Sequence, residues 1–322
     1  LCRAIAALGE ATALSANIIA NACEQNYAGS QNKSGDDQLK LDIDCDNACF
    51  HAFRKSGVYA TGASEETPVE TPLDVYATTD TDVNVNGLYS IGFDPLDGSS
   101  IINANFSVGG IFGVWPGTNV LGRTGREQIV SAVSVYGPRT TLCIGLTNEA
   151  RNSNTTTTTE TENPGIVLEV TLVNNRTEWK LSRNDIRIQA AGKIFAPGNL
   201  RASNDNPAYG ALIQHWISNR YTLRYTGGMV PDIYHILCKG KGVFTNVSSN
   251  VAPAKLRLLY EVAPIGLIIE LAGGKTVHES REGVSVLDIT IEDLDQRLGL
   301  CLGSTDEVDT YVNFMFHKEH AA

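Results

Sequence analysis

Apolar positions recur at helical spacing over the first residues, Leu1 to Ala22, and again over 38–56, where Leu39, Ile43, Phe50 and Phe53 mark one face and Gly57 is the stop. Between later turn signals the period shortens. Strands are predicted at Val58–Ala60, Leu88–Phe93 and Phe106–Trp115, the last with glycines where bulges are tolerated. Thr124–Tyr136 reads as a helix, followed by strands at Thr140–Leu146, Ile166–Val173 and Trp179–Leu181. The second half alternates again. Pro207–Asn219 and Val230–Cys238 read as helices, Tyr221–Tyr225 and Gly242–Asn246 as strands. Lys255–Glu261 alternates with a period of two, placing Lys255, Arg257 and Glu261 on one face of a strand. A helix then begins at Pro264 and ends at Gly273-Gly274.

Helices and strands interleave without repeats, so the expected class is mixed α and β in packed layers. Residues 1–185 and 186–322 are expected to form two subdomains of one unit. The segment 152–165 holds no apolar residue over Asn152–Asn163 and is expected to be a mobile hairpin tip.

At 322 residues and 42% hydrophobic, the chain can bury one large core or two modest ones. The formal charge of -11 disfavours nucleic acid and anionic membrane as partners. No apolar run approaches ~18 residues, so no membrane span is expected. Seven scattered cysteines without a Cys-x-x-Cys argue against a disulfide framework or a zinc site, and for reducing surroundings.

Candidate chemistry concentrates in Phe93-Asp-Pro-Leu-Asp-Gly-Ser-Ser100. Asp94 and Asp97, three apart on a tight turn, can reach one hard cation. The amides that follow at Gly98, Ser99 and Ser100 can hold a phosphate oxygen beside it. Metal next to phosphate suits phosphate-ester hydrolysis, because a bound cation neutralises phosphoryl oxygens and acidifies water. Further acids stand at Gly35-Asp36, Lys40-Leu-Asp42, Ser64-Glu65-Glu66 and Glu261. Spacing alone does not say whether the fold brings them together.

These pieces occur in the order found in fructose-1,6-bisphosphatases, and the chain resembles that superfamily from its first helix to about Leu302. Within the superfamily it looks most like the sedoheptulose-1,7-bisphosphatases. That likeness is carried by Ile111–Gly117, Val135–Thr141, Ala196–Ala202, Tyr221–Asp232 and Glu261–Pro264. The resemblance implies a layered α-β-α-β-α fold and Mg²⁺-dependent removal of the 1-phosphate of sedoheptulose 1,7-bisphosphate, with Mn²⁺ as a substitute ion. Fructose 1,6-bisphosphate, alone or as a second substrate, is the alternative; a catalytically dead regulatory scaffold is the non-enzymatic one.

The resemblance also implies roles. Glu65, Asp94, Asp97 and Glu261 would hold metal, with the Leu96 carbonyl assisting. Asp36 and Glu66 would join at a further metal site and position the attacking water, and Asp42 would handle protons with Glu66. Gly98, Ser99 and Ser100 would hold the 1-phosphate. Lys255 and Arg257 would face the sugar and its phosphates. Tyr225 and Arg224 would bind the distal phosphate, with Arg224 reaching in from a neighbouring copy of a homodimer or homotetramer. Two departures stand out. Thr245-Asn246-Val247 replaces a phosphate-binding tyrosine, and Gln25 and Ser30 occupy the positions of a regulatory cysteine pair in plant chloroplast relatives. A cytoplasmic enzyme is therefore expected, with a plastid as the alternative.

Overall fold

The structure is a computed structural model, and it describes residues 1–22, 27–31, 37–73, 88–152 and 164–317. The strands run in chain order. The first are β1 (Tyr27–Gln31), β2 (Asp37–Leu39), β3 (Tyr59–Ser64), β4 (Thr71–Pro72) and β5 (Tyr89–Asp97). Next come β6 (Val108–Pro116), β7 (Val130–Tyr136), β8 (Thr140–Thr147), β9 (Gly165–Val173) and β10 (Glu178–Arg183). The last are β11 (Ile194–Gly198), β12 (Thr222–Leu223), β13 (Val243–Asn246), β14 (Lys275–His278) and β15 (Leu300–Gly303). The helices are α1 (Cys2–Ala20), α2 (Lys40–Ser56), α3 (Ser99–Ile102) and α4 (Asn148–Asn152). They continue with α5 (Pro207–Ser218), α6 (Met229–Lys239), α7 (Ala263–Leu271) and α8 (Thr305–Val312).

Alternation along the strands sorts side chains onto two faces of each sheet. The eight-stranded sheet has the order β10-β9-β8-β7-β6-β5-β3-β4. On one side Phe93, Phe112, Ala132 and Ile144 pack under Leu8 of α1 and Phe50 and Phe53 of α2. On the other, Ile111, Val133 and Cys143 meet Val230 and Ile233 of α6 and Ile265 and Ile268 of α7. The five-stranded sheet, β12-β11-β13-β15-β14, closes the far side of those two helices with Ala196, Phe244, Leu300 and Leu302. Its outer face sets Phe195, Val243 and Cys301 against Tyr209, Leu212 and Trp216 of α5 and Val308 and Tyr311 of α8. The result is five layers, α-β-α-β-α, as the resemblance implied.

Two element predictions are corrected. Thr124–Tyr136 is a 3₁₀ turn at Gly125–Glu127 followed by strand β7, not a helix. Every residue of β7 is buried, because the sheet is covered on both faces. A doubly covered strand loses the polar alternation that identifies strands, leaving a run that reads as helical. Lys255–Glu261 is not a strand. Arg257 makes one bridge with Arg297, then Leu258–Val262 form a π-helical turn running into α7. All five residues of that turn are buried, so no solvent face exists to give the alternation its usual meaning.

The other predicted elements match within a few residues, although Tyr221–Tyr225 shrinks to the two-residue edge strand β12, and β11, β14, β15 and α8 were not anticipated. The segment 152–165 joins β8 and β9, which pair antiparallel. Residues 153–163, where the mobile tip was expected, lie outside the described residues. No helix among the described residues is long and apolar enough to cross a membrane.

Candidate metal and phosphate site

Strand β5 does not turn at Asp94-Pro-Leu-Asp97, as the sequence had suggested; it bulges. Asp94 pairs with Ile111 and Asp97 with Gly109, so four residues on β5 span three on β6. Proline is tolerated in a sheet at such a bulge. The facing residues are glycines for a steric reason. A Cβ on Gly109 would lie 2.2 Å from the Ser134 carbonyl, and one on Gly110 would lie 3.1 Å from the Pro95 carbonyl. The Gly110 N–H, displaced from the ladder, donates to Ser134 Oγ at 2.8 Å.

The bulge brings both aspartates to one point. Asp94, Asp97 and Glu261 each offer a carboxylate oxygen within 4.8 Å of the other two. Glu261 arrives from the π-helical turn, more than 160 residues later in the chain. Backbone N–H groups hold each acid. Leu96 N donates to Asp94 Oδ1 at 2.9 Å, and Arg257 N donates to Glu261 Oε2 at 2.6 Å. Asp97 accepts from Val230 N at 2.6 Å and from Met229 N at 3.3 Å, so it also caps the N-terminus of α6.

Glu65, at the end of β3, joins the same field. Arg257 Nη1 lies 2.6 Å from Glu65 Oε1, while Arg257 Nε donates to Asp295 at 3.1 Å. Arg257 is thus buried between acids in this structure. Burial raises all four carboxyls toward neutrality, and their mutual repulsion adds to it. Glu65 is pushed up to about 7 against the opposing pull of Arg257, and Asp97 to about 6 against the α6 amides. Asp94 and Glu261 are pushed well above the carboxylate range by burial and then by Glu65.

A second group of acids sits on α2. Asp42 caps its own helix by accepting from Leu39 N at 2.8 Å, and its Oδ1 is buried with no partner among the described residues. Burial pushes it up to about 7, with Glu66 adding to the rise. Glu66 also acts on Asp46, one turn further along, which burial lifts to about 6. Asp36 lies outside the described residues.

The phosphate-side elements follow directly. Gly98 takes a φ of +99° at the start of α3, where a Cβ would come within 3.0 Å of Val108. Ser99 and Ser100 open that turn, half-buried and exposed respectively. Lys255 is exposed. Arg224 and Tyr225 follow β12 on a loop that Asp232 holds, accepting from Thr226 N at 2.7 Å and Gly227 N at 3.4 Å. Tyr225 is 47% exposed and lies in the field of Asp97, Asp232 and Arg201.

Asp46, Asp232 and Asp295 support this site, yet none was singled out from the sequence. The signal for two of them was available. An acid inside an apolar helical stretch, such as Asp232 in Met229-Val-Pro-Asp-Ile, is buried for a reason, and Asp46 is four residues from Asp42 on one helix. Asp295, in the acidic loop Glu292-Asp-Leu-Asp, carried no such mark.

Comparison with known proteins adds an independent line. Residues 6–158 match the family "Fructose-1-6-bisphosphatase, N-terminal domain", and residues 188–316 its C-terminal domain. The chain is 45% identical over 277 residues to a chloroplastic sedoheptulose-1,7-bisphosphatase of Spinacia oleracea, covering 86% of this chain and 64% of that protein. It is 36% identical over 290 residues to a class 1 fructose-1,6-bisphosphatase of Geotalea uraniireducens, covering 90% and 83%. A solved structure of a Toxoplasma gondii protein, provisionally assigned as a sedoheptulose-1,7 bisphosphatase, superposes with a TM-score of 0.83 at 34% identity, covering 97% and 93%. The chain spans about two-thirds of the length of its plant and algal relatives.

Proposed function

We propose that this chain, which belongs to the fructose-1,6-bisphosphatase family, is a divalent-metal-dependent phosphoric monoester hydrolase acting on a sugar bisphosphate. The observation that carries this reading is the convergence of Asp94, Asp97 and Glu261 oxygens within 4.8 Å, directly before the Gly98–Ser100 turn. The donor set is all oxygen, without imidazole or thiol, which fits a hard cation such as Mg²⁺ or Mn²⁺. The buried acids raise one another's pKa values, so the site lacks positive charge that a cation would supply. When bound, that cation neutralises phosphoryl charge and makes water a better nucleophile at neutral pH.

The residues of the chain do the rest. Asp94, Asp97, Glu261 and Glu65 would hold the ion, with the Leu96 carbonyl assisting. The Gly98, Ser99 and Ser100 amides orient the 1-phosphate. Glu66, with Asp36, positions the attacking water, and Asp42, raised to about 7, exchanges a proton with Glu66 near neutral pH. Arg257 balances Glu65 and Asp295. Arg224 and Tyr225 bind the distal phosphate, and Lys255 lies toward the sugar. Residues 1–185 carry most of the metal-binding acids and the 1-phosphate turn, and residues 186–322 add Glu261 and the residues for the sugar and the distal phosphate.

The substrate is sedoheptulose 1,7-bisphosphate. The plant and algal relatives bear that name, and Asn246 leaves room where a tyrosine would meet a shorter sugar. Those relatives are named chloroplastic, which favours a plastid over the cytoplasm expected from the missing cysteine pair. Steady-state kinetics on both bisphosphates tests the reading. A higher kcat/KM for the seven-carbon substrate is expected. Equal or better turnover of fructose 1,6-bisphosphate would favour the alternative, and no turnover of either would overturn both.

A further inference from the structure

The acids proposed for proton handling sit on two separate segments, Asp42 on α2 and Glu66 on the turn after β3. Side-chain contacts from Asp46 join those segments, since both Ser64 and Thr67 of the turn interact with its carboxyl. Thr67 Oγ1 donates to Asp46 Oδ2 at 2.9 Å, across 21 residues of sequence. Asp46 is only 6% exposed and lies one helical turn beyond Asp42. The turn it grips is closed on itself. Ser64 N donates to the Thr67 carbonyl at 3.1 Å, and Thr67 N donates to Ser64 Oγ at 2.9 Å. Its near end is pinned to β5, where Glu65 N donates to the Phe93 carbonyl at 3.1 Å. The outer end, which bears Glu66 and Thr67, is tied to α2 through Asp46.

We propose that Asp46 is a positioning residue, whose hydrogen bond from Thr67 sets the distance between Glu66 and Asp42. The inference rests on the proposed roles of Glu66 and Asp42. A displacement of about 1 Å between catalytic groups can cost roughly a hundredfold in rate, so a single buried contact of this kind carries weight. Binding of the bisphosphate uses other residues, and so should be spared.

The test uses Thr67→Val, which removes only the hydroxyl, and Asp46→Ala, which removes the acceptor. Thr67→Ser keeps the donor and serves as the rescue. Each deletion is expected to lower kcat by about 10- to 100-fold with KM changed less than about threefold. The double variant is expected to be no worse than Asp46→Ala alone, because that change already removes the bond from Thr67 along with the contact to Ser64. Thr67→Ser is expected to stay within about threefold of wild type. Wild-type kcat in Thr67→Val, or losses that multiply in the double variant, would overturn the proposal. A second readout does not depend on any substrate. Amide hydrogen exchange at Glu65–Thr67 is expected to quicken at least about tenfold in Thr67→Val while α2 keeps its protection. Unchanged exchange there would overturn the clamp even in an enzyme with a different substrate. Inactivity of the wild type with fast exchange in the variant would instead overturn the functional reading alone.

Discussion

Metal removal should invert the pH dependence of stability. In the metal-free protein Glu65 sits at about 7 and Asp97 at about 6, against ordinary values of 4.5 and 3.8. Both values are raised. The stabilisation they give the metal-free fold is therefore complete below about pH 4 and is lost as the pH rises through 6 and 7. Each shift of about two units corresponds to roughly 3 kcal/mol at ~1.4 kcal/mol per unit. The two groups share one field, so about 3 kcal/mol for the pair is the sounder size. For a chain this long that is about 4–5 °C in Tm. A divalent ion needs these carboxyls ionised, so its apparent affinity should rise steeply between pH 5 and pH 8. The assay is thermal unfolding at pH 5, 6, 7 and 8, in chelator and in excess Mg²⁺. His235 and His278, whose values burial lowers, act in the opposite direction, but they contribute equally to both series and cancel in the difference. The Mg²⁺-induced gain in Tm is expected to be small at pH 5 and to grow steadily to pH 8. A gain independent of pH would refute the idea that these carboxyls hold protons which the ion must displace.

Three further outcomes are expected. Asp97→Asn should abolish turnover, measured as phosphate release, and should also weaken the cap on α6, lowering stability by about 1–2 kcal/mol in Mg²⁺; undiminished turnover would remove Asp97 from the metal set. Arg224→Ala should raise KM more than it lowers kcat, since a distal phosphate is unchanged in the transition state, and light scattering should find a homodimer or homotetramer; a fully active monomer would contradict a shared site. Mild oxidation followed by dithiol reduction should leave activity nearly constant, because Cys45 and Cys49 are both fully buried; reversible activation lost in Cys45→Ser would refute this.

The parts of the site that were legible in the sequence were short-range. Asp94 and Asp97 lie in one octapeptide, and their joint approach follows from chain geometry with little help from the rest of the fold. Glu261 was legible only through family resemblance, because the alternation of Lys255–Glu261 pointed to a strand that does not form. The alternation there reflects a chain whose charged side chains serve the site and whose other residues fill a core. Strand β7 was misread for the converse reason, since Val130–Tyr136 has no polar face to show when α1 covers one side of the sheet and α6 and α7 the other. The layered class survived both errors, as it depends on the sequence of elements more than on any one of them. Arg257 illustrates the remaining limit. Its residue type points to an anionic partner, but which acids it pairs with, Glu65 and Asp295, depends on tertiary contacts far apart in the sequence.

The manner in which the acids are held bears on how such a site can exist before any ion arrives. Asp42, Asp94, Asp97 and Glu261 each accept at least one backbone N–H, from Leu39, Leu96, Val230 and Arg257 respectively. Backbone donors fix orientation without cancelling the negative charge. Side-chain cations would do both, and would compete with a metal for the same oxygens. Arg257 pairs with Glu65 at 2.6 Å, at the edge of the cluster, and acts on Glu261 through its field, while Asp94, Asp97 and Glu261 bring their oxygens within 4.8 Å of one another. The donors come from four places in the fold: the start of α2, the β5 bulge, the first turn of α6 and the approach to the π-helical turn. Each is an element terminus or an irregularity, where a backbone N–H is released from its ladder or helix. The bulge, the helix end and the π-turn are thus what allow mutually repelling carboxyls to be buried together with fixed geometry, so that their oxygens are already in place when a hard cation displaces their protons.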